Sequence, residues 1–133
     1  TGDIPSFEKT QANEKQEAEL LYEWTGLLPE PFASEMTALY HEMEERQTLE
    51  ARIYKALDNL EALISHNESD LSTWIPLEYD LQMTYGNDKV TFSKYLTQLR
   101  DQVREDSKRK IAEEGDNRPE KKLTFEKNKK LVL

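Results

Sequence analysis

The residue pattern predicts an all-α fold, a bundle of about five helices. Three observations carry this. Apolar residues recur every three or four positions in five separate stretches, prolines and glycines punctuate the boundaries, and no segment alternates polar with apolar for long enough to demand a strand. With 133 residues, 36% apolar and 34% charged, the chain suits one domain with a modest core and strongly solvated helix faces.

The opening Thr1-Gly2-Asp3-Ile4-Pro5 reads as a turn, with Gly2 free to adopt strained angles and Pro5 fixing the exit. A first helix is expected over 11–28. Leu20, Leu21, Trp24, Leu27 and Leu28 share one face, Glu14, Lys15, Glu17 and Glu23 face water, and Thr10 or Asn13 serves as cap. Leu28-Pro29-Glu30-Pro31 breaks it, because each proline disfavours the helical conformation in the residue before it. A second helix over 32–46 carries Phe32, Met36, Leu39, Tyr40 and Met43. The acids Glu42, Glu44 and Glu45 crowd its negative pole, to be offset by Arg46 and Arg52.

The strongest helix signal runs over 48–69, with Thr48 as N-cap, Glu50 in the first turn and the stripe Leu49, Ile53, Leu57, Leu60 and Ile64. This stripe is the expected centre of the bundle, touched by Leu20, Trp24, Leu39, Tyr40, Leu96 and Leu99. Ser65 to Trp74 then brings more hydrogen-bonding side chains in a row than a simple connection requires. A fourth helix over 75–85 starts on Pro76, carries Trp74, Leu77, Leu81 and Tyr85, and stops at Gly86. The fifth, over 91–114, has the stripe Phe92, Tyr95, Leu96, Leu99 and Val103 and ends at Gly115. Residues 1–115 thus form the bundle. Residues 116–133, with six basic and three acidic side chains, are expected to be a flexible tail, a short strand at Leu123-Thr124-Phe125 being the alternative.

Without cysteine the chain has no disulfide and no thiolate metal site, which fits the cytoplasm. No apolar run approaches the roughly 18 residues of a membrane span, and a net charge of −9 opposes nucleic-acid binding. There is no glycine-rich phosphate loop, no G-x-S-x-G and no H-E-x-x-H. The two histidines, His41 and His66, are far apart; His41 reads as a boundary residue and His66 as part of the polar run, and with scattered acids they make no recognisable metal site. Asp58 needs more explanation. One turn either side lie Tyr54 and Ala62, which would half-bury its carboxylate and require a partner. Lys55, one turn earlier, is one candidate; a metal ion or ligand is the other.

Three stretches then bear on function: TGDIPSFEKT at the start, TLEARIYKALDNLEALISHNESDLSTW through the third helix, and the following YGND. They resemble the second half of an HD-domain metal-dependent phosphohydrolase, in the group that includes the 5′-deoxynucleotidases, over roughly residues 1–114. The resemblance implies an all-helical bundle in which a histidine, an adjacent His-Asp pair and a distant aspartate hold a divalent cation. The last aspartate lies in a pattern like A-L-D-N-L-E-A, which makes Asp58 the implied metal ligand. The family's Gly-Asp-hydrophobic-Pro turn matches Gly2-Asp3-Ile4-Pro5 and implies a catalytic role for Asp3.

The upstream histidine and His-Asp pair are expected before Thr1, so the chain is expected to be N-terminally truncated and inactive alone. For the parent protein the resemblance implies Mn²⁺, Co²⁺ or Mg²⁺ and the hydrolysis of a nucleoside 5′-monophosphate. The expected partner is a second copy or the N-terminal remainder of the same protein, with no membrane and no nucleic acid. The alternative is a non-catalytic helical interaction or regulatory module.

Overall fold

The computed structural model describes residues 4, 5, 8–116 and 118. Among them are five α-helices, α1 (Gln11–Gly26), α2 (Phe32–Glu45), α3 (Leu49–Glu68), α4 (Pro76–Thr84) and α5 (Lys94–Glu114), with 3-10 turns at Leu71–Thr73 and Asn87–Lys89. No strand occurs among the described residues, so the architecture is the all-α one that the periodicity predicts. The alternative strand at Leu123-Thr124-Phe125 lies outside the described residues. The chain divides into two compact units, Thr1–Ala51 and Arg52–Leu133.

In the first unit, Thr10 caps α1 by accepting from the Asn13 backbone N–H, while the Asn13 side chain accepts from the Thr10 N–H, so both candidate residues take part. The α1 and α2 helices meet through small side chains. Thr25 and Ala33 are buried, and the Thr25 hydroxyl lies 3.3 Å from that of Thr37. Leu20, Trp24, Leu27, Phe32 and Leu39 are exposed. The acids closing α2 are partly engaged locally: Glu42 accepts from the Thr48 hydroxyl at 2.8 Å and Glu44 from the Tyr22 hydroxyl at 2.7 Å. Arg46 closes the helix in the left-handed conformation, and Arg52, which begins the second unit, lies 4.5 Å over the Phe92 ring.

At the end of the first unit, Thr48 caps α3 by accepting from the Ala51 N–H, and the rest of that helix belongs to the second unit. Its core is Ala56, Leu60, Leu63, Val90, Leu96 and Val103, with Tyr85, Phe92 and Leu99 packed against them. A second cluster joins Leu71, Trp74 and Tyr79 to Ile111. The contacts of Arg52 with Phe92 at one end, and of Asn67 with Val103 at the other, make α3 and α5 run the same way. The α4 helix returns between those ends.

Of the stripe expected at the centre, Leu60 alone is buried. On α3 the buried residues are Ala51, Ala56, Asn59, Leu60 and Leu63, whereas Leu49, Ile53, Leu57 and Ile64 are exposed. The reason is steric. Small side chains permit the closest approach: a Cβ added at Gly86, whose φ is +72°, would lie 2.9 Å from the Asn59 Cβ. The helix therefore turns its Ala56–Asn59–Leu63 side inward.

The polar run after α3 proves structural. His66 and Asn67 join a buried lattice centred on Gln82, whose amide nitrogen lies within 3.1 Å of the Leu63 carbonyl, Asn67 Oδ1 and Ser107 Oγ. The Gln82 side-chain oxygen faces His66 Nδ1 at 3.1 Å and accepts from it. Asp70 caps the 3-10 turn by accepting from Ser72 N–H at 2.8 Å, and the Ser72 side chain, then this backbone bond, lower its carboxyl pKa. Two arginines of α5 close the C-terminal end of α4: Arg100 donates to the Gln82 and Tyr85 carbonyls and Arg104 to that of Met83. Burial, and then the neighbouring Arg104, push Arg100 down to about 10.

Candidate functional site

Asp58 sits in mid-helix on α3, opposite the side that packs on α4 and α5. Adjacent residues 58 and 59 point about 100° apart on a helix, so while Asn59 is buried, Asp58 turns outward. Its side chain is 53% exposed, close to the half-burial that the flanking Tyr54 and Ala62 led one to expect. The Lys55 ammonium donates to Asp58 Oδ2 at 3.1 Å, the ion pair that the one-turn spacing allows. Oδ1 has no partner among the described residues. Elsewhere on the same helix Ile53, Tyr54, Leu57 and Ile64 are exposed.

Asp3 lies outside the described residues, as does Gly2 of the same turn. The histidines are both engaged by neighbours. His66 is in the Gln82 lattice, with its Nε2 3.6 Å from Glu78. His41 stacks on Tyr22 at 4.6 Å, and Tyr22 donates to Glu44. Burial, that hydrogen bond and the charges of Glu44 and Glu45 push the Tyr22 phenol up to about 12. Among the described residues no three of His, Cys, Asp and Glu form a group able to hold a metal ion.

Two cavities were compared with these positions, and Asp58 lines neither. One, of about 370 Å³, lies between the C-terminal turns of α3 and α5 and is lined by Asn67, Glu68, Asp106, Arg109 and Lys110 among others. The other, of about 490 Å³, follows the small residues Gly26, Ala33, Ser34, Thr37 and Ala38 to His41. What the sequence reading missed is the lattice of Gln82, Ser107 and Arg100. Its signal was present: polar residues at 82, 100 and 107 fall on the inward sides of their helices, next to Leu81, Leu99 and Val103.

The five helices define an all-α domain of the helical-bundle class. The family model described as HD domain matches residues 1–100, and the chain belongs to that family. No curated protein and no solved structure matches it. HD domains generally bind divalent metal ions and belong to a superfamily of metal-dependent hydrolases. Asp58 offers a hard oxygen donor of the kind such ions take, but the described residues place the Lys55 ammonium beside it and form no group of further ligands.

No helix among the described residues is long and apolar enough to cross a membrane.

Proposed function

We propose that this chain is the part of an HD-domain phosphohydrolase that carries its last metal-binding carboxylate, Asp58, and that the whole protein releases phosphate from nucleoside 5′-monophosphates. What supports the reading is membership of the HD family, with Asp58 in the stretch that resembles the family's last-ligand pattern; the outward side chain and its pairing with Lys55 do not add to it. The histidine and His-Asp ligands come, in this reading, from residues preceding Thr1. The exposed Ile53, Tyr54, Leu57 and Ile64 offer surface to the helices that bear those ligands, or to a second copy.

When bound, the divalent ion supplies positive charge against the phosphate and acidifies water. Two residues of this chain contribute in this reading. Asp58 binds through oxygen, and Asp3, carried over from the family's turn, works on the water or the leaving group. Hydrolysis forms a phosphorus–oxygen bond from water and breaks the bond to the 5′ oxygen, which departs as a hydroxyl with the proton that water has lost.

The test is phosphate release from deoxynucleoside monophosphates with added Mn²⁺ or Co²⁺, in the longer protein. Asp58→Ala is expected to abolish release. Asp3→Ala is expected to reduce turnover more than metal content, because its work is on reacting atoms and not on holding the ion. Full release by Asp58→Ala would remove Asp58 from the site, and robust release by the 133-residue chain alone would place the site elsewhere. A second reading, a non-catalytic helical interaction module, rests on the same exposed apolar residues; it is favoured if the longer protein releases no phosphate from any of these substrates.

A further inference from the structure

The negative charge of this chain is not shared evenly. Residues 1–51, the first unit, contain twelve acidic and three basic side chains, whereas residues 52–133 contain fifteen of each, so the whole net charge of −9 belongs to the first unit. Large apolar side chains of that unit are also turned outward. The α1–α2 hairpin closes through Tyr22 stacked on His41, through Thr25 beside Thr37 and through the buried Ala33, which leaves Leu20, Trp24 and Leu27 out of the seam. These three recur at the spacing of one helix face and are 44%, 55% and 80% exposed. A single exposed leucine is ordinary, but a stripe of three with tryptophan at its centre has the composition of a binding surface.

Charge selects the occupant. Glu19 and Glu23, both exposed and one turn apart, run along one edge of the stripe. The lysine–carboxylate pairs of the first unit are Lys9 with Glu17 and, loosely at 3.8 Å, Lys15 with Glu19, so Glu23 has no basic partner among the described residues. A second copy would bring the same surplus of negative charge against this face, and a phosphate-bearing surface would be repelled likewise. The complementary ligand has the opposite sign on a helical period. We propose that the outer face of α1 docks a basic amphipathic helix of a partner protein, whose apolar side chains pack on Leu20, Trp24 and Leu27 while its lysines or arginines meet Glu19 and Glu23. The apolar anchors hold such a helix, and the charges steer and orient it. This surface does not involve Asp58 and is independent of the hydrolytic reading.

The probe is a fluorescent synthetic helix with leucines on one face and lysines elsewhere, titrated with the 133-residue chain and followed by anisotropy, beside a scrambled peptide of the same composition. The patterned peptide is expected to bind at least about tenfold more tightly than the scrambled one. Trp24→Ala is expected to weaken it about tenfold or more, the loss typical of a central aromatic anchor, with the melting temperature unchanged. Glu19→Gln with Glu23→Gln is expected to weaken it less and to flatten its dependence on salt. Equal binding of the two peptides, or wild-type affinity in Trp24→Ala, overturns the inference; should that variant fail to fold, Leu27→Ala is read by the same criterion. A chain that is dimeric in light scattering and monomeric as Trp24→Glu would assign the face to a second copy. Binding by the 133-residue chain but not by the longer protein would assign it to the preceding residues, and either result overturns the partner helix.

Discussion

The inner and outer faces of α3 have similar apolar content and opposite fates. Ala56, Leu60 and Leu63 lie in the core of the second unit, whereas Ile53, Tyr54, Leu57 and Ile64 are exposed on the same helix. Two polar residues that are neighbours in sequence fall on the two faces. The inner one, Asn59, is an uncharged amide; the outer one, Asp58, is a carboxylate paired with Lys55. A neutral amide costs far less to take out of water than a charge does, so the kind of polar residue marks the face more reliably than the size of its apolar neighbours.

The strongest challenge to this contrast is a pair of truncations. Leu60→Ala is expected to cost about 3 kcal/mol in chemical denaturation, the range for emptying a packed site. Leu57→Ala on the outer face is expected to cost less than about 0.5 kcal/mol in this chain, as for surface changes generally. Equal losses would mean that the outer face is packed.

A smaller effect is expected where the inner face meets polar atoms. Gln82→Leu removes the centre of the lattice and leaves His66, Asn67 and Ser107 short of partners, for a loss of about 2 kcal/mol by the same denaturation measurement. Wild-type stability in that variant would show that the lattice contributes nothing beyond an apolar core.

The helices themselves were legible because their periodicity, caps and breakers agree: Thr10, Thr48 and Pro76 act where the sequence places them. The buried face of α3 was not legible. A stripe of leucine and isoleucine is the same pattern whether one side or the other is covered, and the choice was made by Gly86 approaching Asn59 from a distant part of the chain. For the site, the sequence pointed to Asp58 and Lys55 as neighbours, which the structure pairs. Which oxygen Lys55 takes depends on side-chain conformations that spacing does not encode.

The first unit supplies a control outside α3, with the least effect on the fold. Tyr22 is raised from 10.0 to about 12 by burial, by its hydrogen bond to Glu44 and by the nearby acids. Folding therefore favours the neutral phenol: the contribution is fully present below pH 10 and is lost as pH rises toward 12. Alkaline unfolding curves are expected to lose this dependence in Tyr22→Phe, and a curve identical to the wild type would detach Tyr22 from Glu44.

The central claim is that the outer face of α3 serves chemistry and the inner face serves stability. Phosphate release and melting temperature measured on the same Asp58→Ala preparation of the longer protein test it most directly. The account expects release to vanish while the melting temperature stays within a degree or two of the wild type, roughly the shift of a surface change. Retained release, or loss of release accompanied by unfolding, would contradict it.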